Sequence, residues 1–314
     1  MGPPSSNMTP HPQSLLKAPD GRTVFLKVHR CLWSGDYPSN SLAALEECLR
    51  ARVARAEIDL GMLADRDFLV THDDVLDYDT TGKDRVSDCT LAESRELRFR
   101  WRGAVTDHRP PLLSEVVELF RSIPAPTIVE LDMKDFEPWP WPRVEELVRL
   151  VEPIRDRIVF GGQADWNLRR LLAVDPTLPT GFNPFFYLDW VADVRDRELV
   201  PGVVGAYGYL DQHILSRERR GPTTDYLKDR LGGLLRLVPG ASEAHVRLET
   251  FERMLADGLS DLVPLFHAAG YLVDVWTLDA GTPAWETRLA RAVAAGVDMM
   301  TTNTPHALSA TGKT

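Results

Sequence analysis

The run TVFLKVHR, residues 23–30, decides how the rest of the chain is read. Thr23 to Val28 is mostly apolar and β-branched, the pattern of a buried strand, and it stops at His29-Arg30. Two further short runs carry polar residues in the same way: one opening near Ala56 holds Glu57-Ile58-Asp59, and Phe68-Leu69-Val70-Thr71 ends at His72-Asp73. Polar groups therefore fall at strand exits, where open α/β sheets and barrels keep their active sites. Glu57 and Asp59 are two apart, so in an extended run both side chains leave by one face. Two carboxylates so placed repel unless a cation or a shared proton joins them.

Outward from this stretch, strand-like and helix-like segments alternate. Asn40-Ser41 can cap a helix from Leu42 to Arg52, with Leu42, Leu45 and Leu49 at helical spacing. A strand pair around Glu57 and Val70 follows, then a polar excursion from Asp73 to Arg109, which we expect to shape substrate access. Ser114 to Arg121 reads as helix, Thr127 to Met133 as strand, Arg143 to Val151 as helix, Arg157 to Phe160 as strand, Asp165 to Val174 as helix and Leu178 to Phe182 as strand. From Asn183 to Gly240 no clean period survives; Val203-Val204 and Leu234 to Val238 are the strand-like pieces expected there. The pattern recovers with a helix end at Ala268-Ala269-Gly270, a strand from Tyr271 to Leu278, a helix from Ala284 to Ala295 and a last strand from Val297 to Thr301. Such alternation predicts one TIM (β/α)8 barrel over residues 23–308, irregular in its middle third, between a flexible tail at 1–22 and a short tail at 309–314.

The 314 residues carry a formal charge of −10, which argues against a nucleic-acid-binding face. An anionic substrate is still admissible, because a local cluster of Arg, Lys and metal can dominate the field inside a pocket. Cys31, Cys48 and Cys89 lack paired or metal-type spacing, as expected of reduced thiols in a cytoplasmic protein. Cys31 follows His29-Arg30, so it either lies near the site or is a small buried thiol. No segment approaches the roughly 20 apolar residues of a membrane span, and the Pro- and Ser-rich start holds no apolar core of signal length.

A third acidic cluster lies in VELDMK, residues 129–134. Extended, it sends Glu130, Asp132 and Lys134 to one face while Val129, Leu131 and Met133 pack behind. Charges so placed are costly to bury alone, which brings them to the same cavity as Glu57 and Asp59. Three or four carboxylate oxygens without a thiolate suit a hard divalent cation, Mg²⁺ or Ca²⁺, with Lys134 left to hold a phosphate oxygen.

At this point the chain resembles the glycerophosphodiester phosphodiesterase family of TIM barrels. The family's His-Arg, P-E-N-T, E-x-D, His-Asp and E-x-K motifs and its late Trp strand stand here as His29-Arg30, Pro38-Ser39-Asn40-Ser41, Glu57-Ile58-Asp59, His72-Asp73, Asp132-Met133-Lys134 and Val275-Trp276-Thr277. Thr302-Asn303-Thr304-Pro305 looks like the family's T-D-x-P ending. The match is strongest from Val24 to Lys134 and from Tyr271 to Leu308. Ser39 departs from a glutamate, Asn303 from an aspartate, Cys31 from a glycine and Asp132 from the glutamate of E-x-K. Asp132 is accordingly the preferred third metal ligand beside Glu57 and Asp59, with Glu130 as a coordinating or supporting alternative.

The resemblance implies hydrolysis of a glycerophosphodiester to glycerol 3-phosphate and an alcohol. Charge built on the non-bridging oxygens would meet the cation, Arg30 and Lys134. His29 and His72 are the implied proton-transfer pair, their acid and base roles unassigned by sequence, and the nucleophile is the substrate's neighbouring hydroxyl, giving a cyclic phosphate that water opens. Trp276 would line the pocket against the alcohol. Two other readings share these residues: a lysophospholipase D-type activity on a lipid-bearing diester, with Phe182 to Trp190 as either an acyl wall or, by preference, packed core, and a barrel that binds a phosphorylated ligand without turnover. His11, His108, His213, His245, His267 and His306 are read as structural, and the loop carrying Trp139 and Trp141 as either pocket rim or packed surface.

Overall fold

The computed structural model describes residues 9–190 and 204–311. Eight parallel strands form the barrel: β1 (Thr23–Val28), β2 (Arg55–Met62), β3 (Ile128–Met133), β4 (Ile158–Gly162), β5 (Gly181–Phe182), β6 (Glu243–Arg247), β7 (Leu272–Trp276) and β8 (Met299–Thr302). They are hydrogen-bonded in the order β4-β3-β2-β1-β8-β7-β6-β5. The ring is completed where Phe160 bridges Thr180 in parallel and the Asn183 N–H donates to the Gly162 carbonyl at 3.0 Å. This is the TIM barrel that the alternation predicts.

Helices α1 (Leu42–Ala51), α2 (Leu113–Ser122), α3 (Trp141–Val151), α4 (Asp165–Val174), α5 (Thr223–Leu234), α6 (Leu248–Ala256) and α7 (Trp285–Ala295) lie outside, and α8 (Pro305–Thr311) follows the last strand. Each forms where the 3.6-residue period presents one apolar stripe; α2 buries Leu113, Val116, Val117 and Phe120. Ser41 starts α1 by accepting the Ala44 N–H at 3.2 Å. The strands send Leu26, Ile58, Leu131, Val246 and Val275 outward under these helices, all at most 2% exposed. The alternate residues, Lys27, Asp59, Glu130, His245 and Asp274, face the lumen and are also buried.

Several expectations are corrected. Phe68–Leu69 is not a barrel strand; it folds back antiparallel onto Gly61-Met62 at the end of β2, so His72 sits on the loop beyond that return. The Asp73 to Arg109 excursion packs Leu76, Val86, Cys89, Leu91 and Leu97 against Leu63, Leu69 and Leu112 in a small core of their own. Leu234 to Val238 closes α5 and its exit turn; the next strand is β6, which the sequence reading did not include and whose polar side points into the barrel. Val203 lies outside the described residues, and Val204 makes a single bridge to Leu210. Part of the expected N-terminal tail is ordered: Leu15–Lys17 pairs antiparallel with β1, and the Arg22 guanidinium donates to three carbonyls around Val297. Residues 309–311 belong to α8. Trp139 is packed, stacked 5.2 Å from Phe68, and does not line the central cavity.

Candidate active site

The β1–α1 turn sets the geometry. Arg30 (φ 49°, ψ 32°) and Cys31 (φ 57°) both adopt the left-handed conformation, which costs an L-residue about 1–2 kcal/mol. The turn is held because the Arg30 N–H donates to Glu57 Oε2 at 2.8 Å and the Asn40 N–H donates to the Arg30 carbonyl at 3.0 Å. Cys31 thus occupies a backbone state that suits the glycine of the resembled family, its thiol buried behind Glu57.

Beside this turn, β2 and β3 run in register so that Glu57 lies opposite Glu130 and Asp59 opposite Asp132. Asp59 is fully buried, accepting from Asn40 Nδ2 at 2.7 Å and lying 2.7 Å from Lys134 Nζ. Burial opposes its ionisation, but Lys134, His72 and Arg30 outweigh burial and hold its pKa below the ordinary carboxylate value. Burial first, then the Asp59 charge, pushes Glu57 well above its usual value, and burial with Glu130 and Asp59 raises Asp132. Lys134 bonds both Asp59 and Asp132. One oxygen of each of Glu57, Asp59 and Asp132 falls within 4.8 Å of the others, and buried Glu57 Oε1 has no hydrogen-bond partner. An unsatisfied buried polar atom costs about 1–3 kcal/mol. An all-oxygen donor set with an orphaned carboxylate oxygen fits a hard divalent cation.

His29 leaves β1 toward the same cavity. Its Nδ1 lies 2.9 Å from Asn303 Oδ1, while Asn303 Nδ2 donates to Asp279 Oδ2 at 2.7 Å. With the Asn303 amide nitrogen committed to Asp279, its oxygen must accept, so His29 carries its proton on Nδ1 and presents a bare Nε2. Burial and the Arg30 charge lower the His29 pKa to about 4, which keeps the ring neutral near pH 7. His72 is partly exposed, with Nδ1 3.0 Å from Asp73 Oδ1.

A cavity of about 240 Å³ joins these groups: His29, Arg30, Glu57, His72, Asp132, Lys134 and Trp276 line it, with Asp59 directly behind. Glu130 reaches the cavity too, but stands apart from the Glu57-Asp59-Asp132 group. Lys27 Nζ lies 2.5 Å from its Oε2 and His245 Nδ1 lies 2.9 Å from its Oε1. Lys27 also donates to Asp274 Oδ2 at 2.8 Å, and Asp274 accepts from Thr301. Burial would lower the His245 pKa, but Glu130 prevails and raises it to about 9.

Sequence reasoning thus missed His245, Lys27, Asp274 and Asp279. Two signals were present: a lysine inside TVFLKV and an aspartate inside LVDVW, charges that an apolar strand carries only with a buried partner.

A closed parallel barrel with two histidines, three acids and a lysine at one end defines the class: an α/β-barrel protein with a site suited to phosphate esters. The Glycerophosphoryl diester phosphodiesterase family matches residues 29–307. The chain belongs to that family. Glycerophosphodiester phosphodiesterase 1 of Mus musculus is 32% identical over 88 residues, 27% of this chain and 27% of the relative. The glycerophosphodiester phosphodiesterase of Bacillus altitudinis is 30% identical over 122 residues, 37% of this chain and 48% of the relative. The chain thus spans less than half the length of these curated relatives. An Oleispira antarctica phosphodiesterase, solved in complex with the product sn-glycerol-3-phosphate, superposes with a TM-score of 0.62 at 18% identity over 92% of this chain and 96% of that one. A glycerophosphodiester phosphodiesterase from Agrobacterium tumefaciens gives 0.58 at 15% identity, over 91% and 99%. At such identities the likeness is one of fold.

Proposed function

We propose that the protein is a metal-dependent phosphodiesterase that hydrolyses a glycerophosphodiester, such as glycerophosphocholine or glycerophosphoethanolamine, to glycerol 3-phosphate and an alcohol. The observation that carries this reading is the convergence of His29, His72, Lys134 and the Glu57-Asp59-Asp132 group on one cavity. Those three acids would hold Mg²⁺ or Ca²⁺, whose charge would stabilise the non-bridging phosphate oxygens. Glu130, already engaged by Lys27 and His245, is left outside that set.

The chain's own groups divide the remaining work. His29, neutral and with Nε2 bare, takes the proton from the attacking hydroxyl as it bonds to phosphorus. His72 gives a proton to the departing alkoxide as the P–O bond breaks, and water then opens the resulting cyclic phosphate to glycerol 3-phosphate. Arg30 and Lys134 orient the phosphate and meet its developing charge. Trp276 lines the place of the alcohol. A cytoplasmic location belongs to the same reading, supported by three buried, unbridged thiols. No helix among the described residues is long and apolar enough to cross a membrane.

The test is release of glycerol 3-phosphate from glycerophosphocholine by purified protein with Mg²⁺ or Ca²⁺. His29→Ala and His72→Ala should each lower kcat by about 10²–10⁴; an unchanged rate in either would remove that histidine from the chemistry. Lysophosphatidylcholine as substrate separates this activity from a lysophospholipase D.

A further inference from the structure

The polar excursion beyond His72 carries a feature that the catalytic cavity does not use. Its segment RFRWRGAV, residues 98–105, holds three arginines and no acid in a chain of formal charge −10. Arg100–Trp101 pairs antiparallel with Ala104–Val105, and Arg102 (φ 51°) and Gly103 (φ 83°) form the tip. Two consecutive residues at positive φ make a type I′ turn, whose usual first occupant is asparagine, aspartate or glycine. Here an arginine holds that position, in the left-handed state that L-residues ordinarily avoid.

The three guanidinium groups are held by backbone carbonyls: Arg98 by Arg95 and Leu97, Arg100 by Thr80 at 2.8 Å, and Arg102 by Gly35 at 2.8 Å. None of them is paired with a carboxylate among the described residues, and Arg100 and Arg102 are exposed. Val105 beside them is 54% exposed and Tyr78 72%; Tyr78 adjoins the hairpin because the Arg100 N–H donates to the Asp79 carbonyl at 2.7 Å. The Arg102 guanidinium lies 5.7 Å over the Trp101 ring, whose indole N–H has no acceptor in the protein. The hairpin stands at the mouth of the barrel. Arg102 reaches the loop after the Arg30-Cys31 turn, and Asp79 offers an oxygen within 4.8 Å of ligand atoms of His72 and Asp73.

We infer that this hairpin is a docking surface for a phospholipid bilayer, which it holds against the mouth of the barrel. Arg98, Arg100 and Arg102 meet the headgroup phosphates as planar forks, while Trp101, Val105 and Tyr78 enter the boundary between headgroups and acyl chains. At a Debye length of about 10 Å in 0.1 M salt, a surface in contact with the hairpin feels its local positive charge and not the −10 of the whole chain. A single-stranded nucleic acid offers the same phosphates, but it is gripped by stacking on aromatic faces and gives the exposed Val105 no apolar layer to enter. Docking goes beyond the phosphodiesterase reading, since it concerns where the protein works and not what it cleaves.

Co-sedimentation of the full chain with phosphatidylcholine vesicles containing about 30% phosphatidylglycerol tests the surface. The wild type should sediment with them, and less so as salt rises. Arg100→Gln and Arg102→Gln should each lower the partition coefficient about fivefold, and Val105→Ser should lower it as well. Arg149→Gln makes the same charge change at an exposed position of α3 and should leave binding unchanged. Arg100→Lys and Arg102→Lys keep the charge and should retain most of the binding. A wild type that stays in the supernatant overturns the docking surface, and so do Lys variants as weak as the Gln ones, which would trace the loss to hairpin folding. Capture of a single-stranded oligonucleotide in preference to the vesicles overturns it too. Turnover of glycerophosphocholine in solution should be the same in the wild type and every variant, because none of these residues lines the catalytic cavity. Vesicle binding with no turnover in any of the proteins would sink the phosphodiesterase reading and keep the docking surface; turnover without vesicle binding would do the reverse.

Discussion

Asn303 holds the His29 imidazole in one tautomer, because its Oδ1 accepts from His29 Nδ1 at 2.9 Å while its amide nitrogen is spent on Asp279. Asp279 also takes the Asn303 backbone N–H at 2.6 Å. The chain thus places a carboxylate at Asp279, one step further from the histidine than Asn303, which stands where the resembled T-D-x-P ending has aspartate.

Restoring the family residue should therefore harm this protein. Asn303→Asp would set a second carboxylate against Asp279, and the two would repel in a half-buried site. We expect kcat on glycerophosphocholine to fall about tenfold or more, and addition of Asp279→Asn to recover most of it. Wild-type turnover in the single variant would show that the tautomer is not set by this pair.

The acid group predicts a crossing of stabilities. Burial and the Asp59 charge disfavour ionised Glu57, so without added cation Glu57→Gln should be at least as stable as wild type at pH 8. Added Mg²⁺ or Ca²⁺ should then stabilise wild type by about 2.7 kcal/mol at a hundred times Kd, and Glu57→Gln much less. Thermal melts with and without EDTA measure both; equal shifts in the two proteins would remove Glu57 from the cation site.

Gly161→Ala tests the buried cluster. The new Cβ would lie 2.0 Å from Glu130 Oε1, and overpacking of this kind costs about 1–3 kcal/mol. Urea unfolding should show the loss with no change in m-value. A change under about 0.5 kcal/mol, the range of neutral surface substitutions, would mean that Glu130 has room to move.

Asp135 gives a pH signature. It is 8% exposed, accepts the Met62 N–H at 2.9 Å, and burial pushes its pKa up from 3.8 to about 6. Between those values the folded chain holds a proton that the unfolded chain has lost, so stability falls as pH rises through this window and stays lowered above it. Asp135→Asn keeps the acceptor and removes the charge. It should gain about 1–3 kcal/mol at pH 7.5, with the gain gone by pH 4. Parallel stability curves across pH would contradict the assignment.

Much of this was legible along the chain. Asp165 to Val174 and Thr23 to Val28 fall on the bounds of α4 and β1, because apolar periodicity there is unbroken and turn residues flank it. His29, Arg30, Glu57, Asp132, Lys134 and Trp276 meet in one cavity as their strand-end positions imply. Phe68 to Thr71 misled because a short apolar run has the same pattern in a barrel strand and in a two-residue return against β2. Glu243–Arg247 escaped notice because alternation ordinarily marks a solvated face, and only barrel closure shows that this polar face is buried.

The sequence by itself determined the alternating elements, the barrel they imply and the order of the acids and histidines at its mouth, since hydrophobic period and strand-end placement are local properties. Only the tertiary structure decided which partners those groups have. Lys27 and Glu130 are 103 residues apart and His29 and Asn303 are 274 apart, yet strand register brings each pair into contact. The proton position on His29, the separation of Glu130 from the Glu57-Asp59-Asp132 group and the polar lumen beneath the site follow from those contacts, because charge and hydrogen-bond state depend on neighbours across the ring.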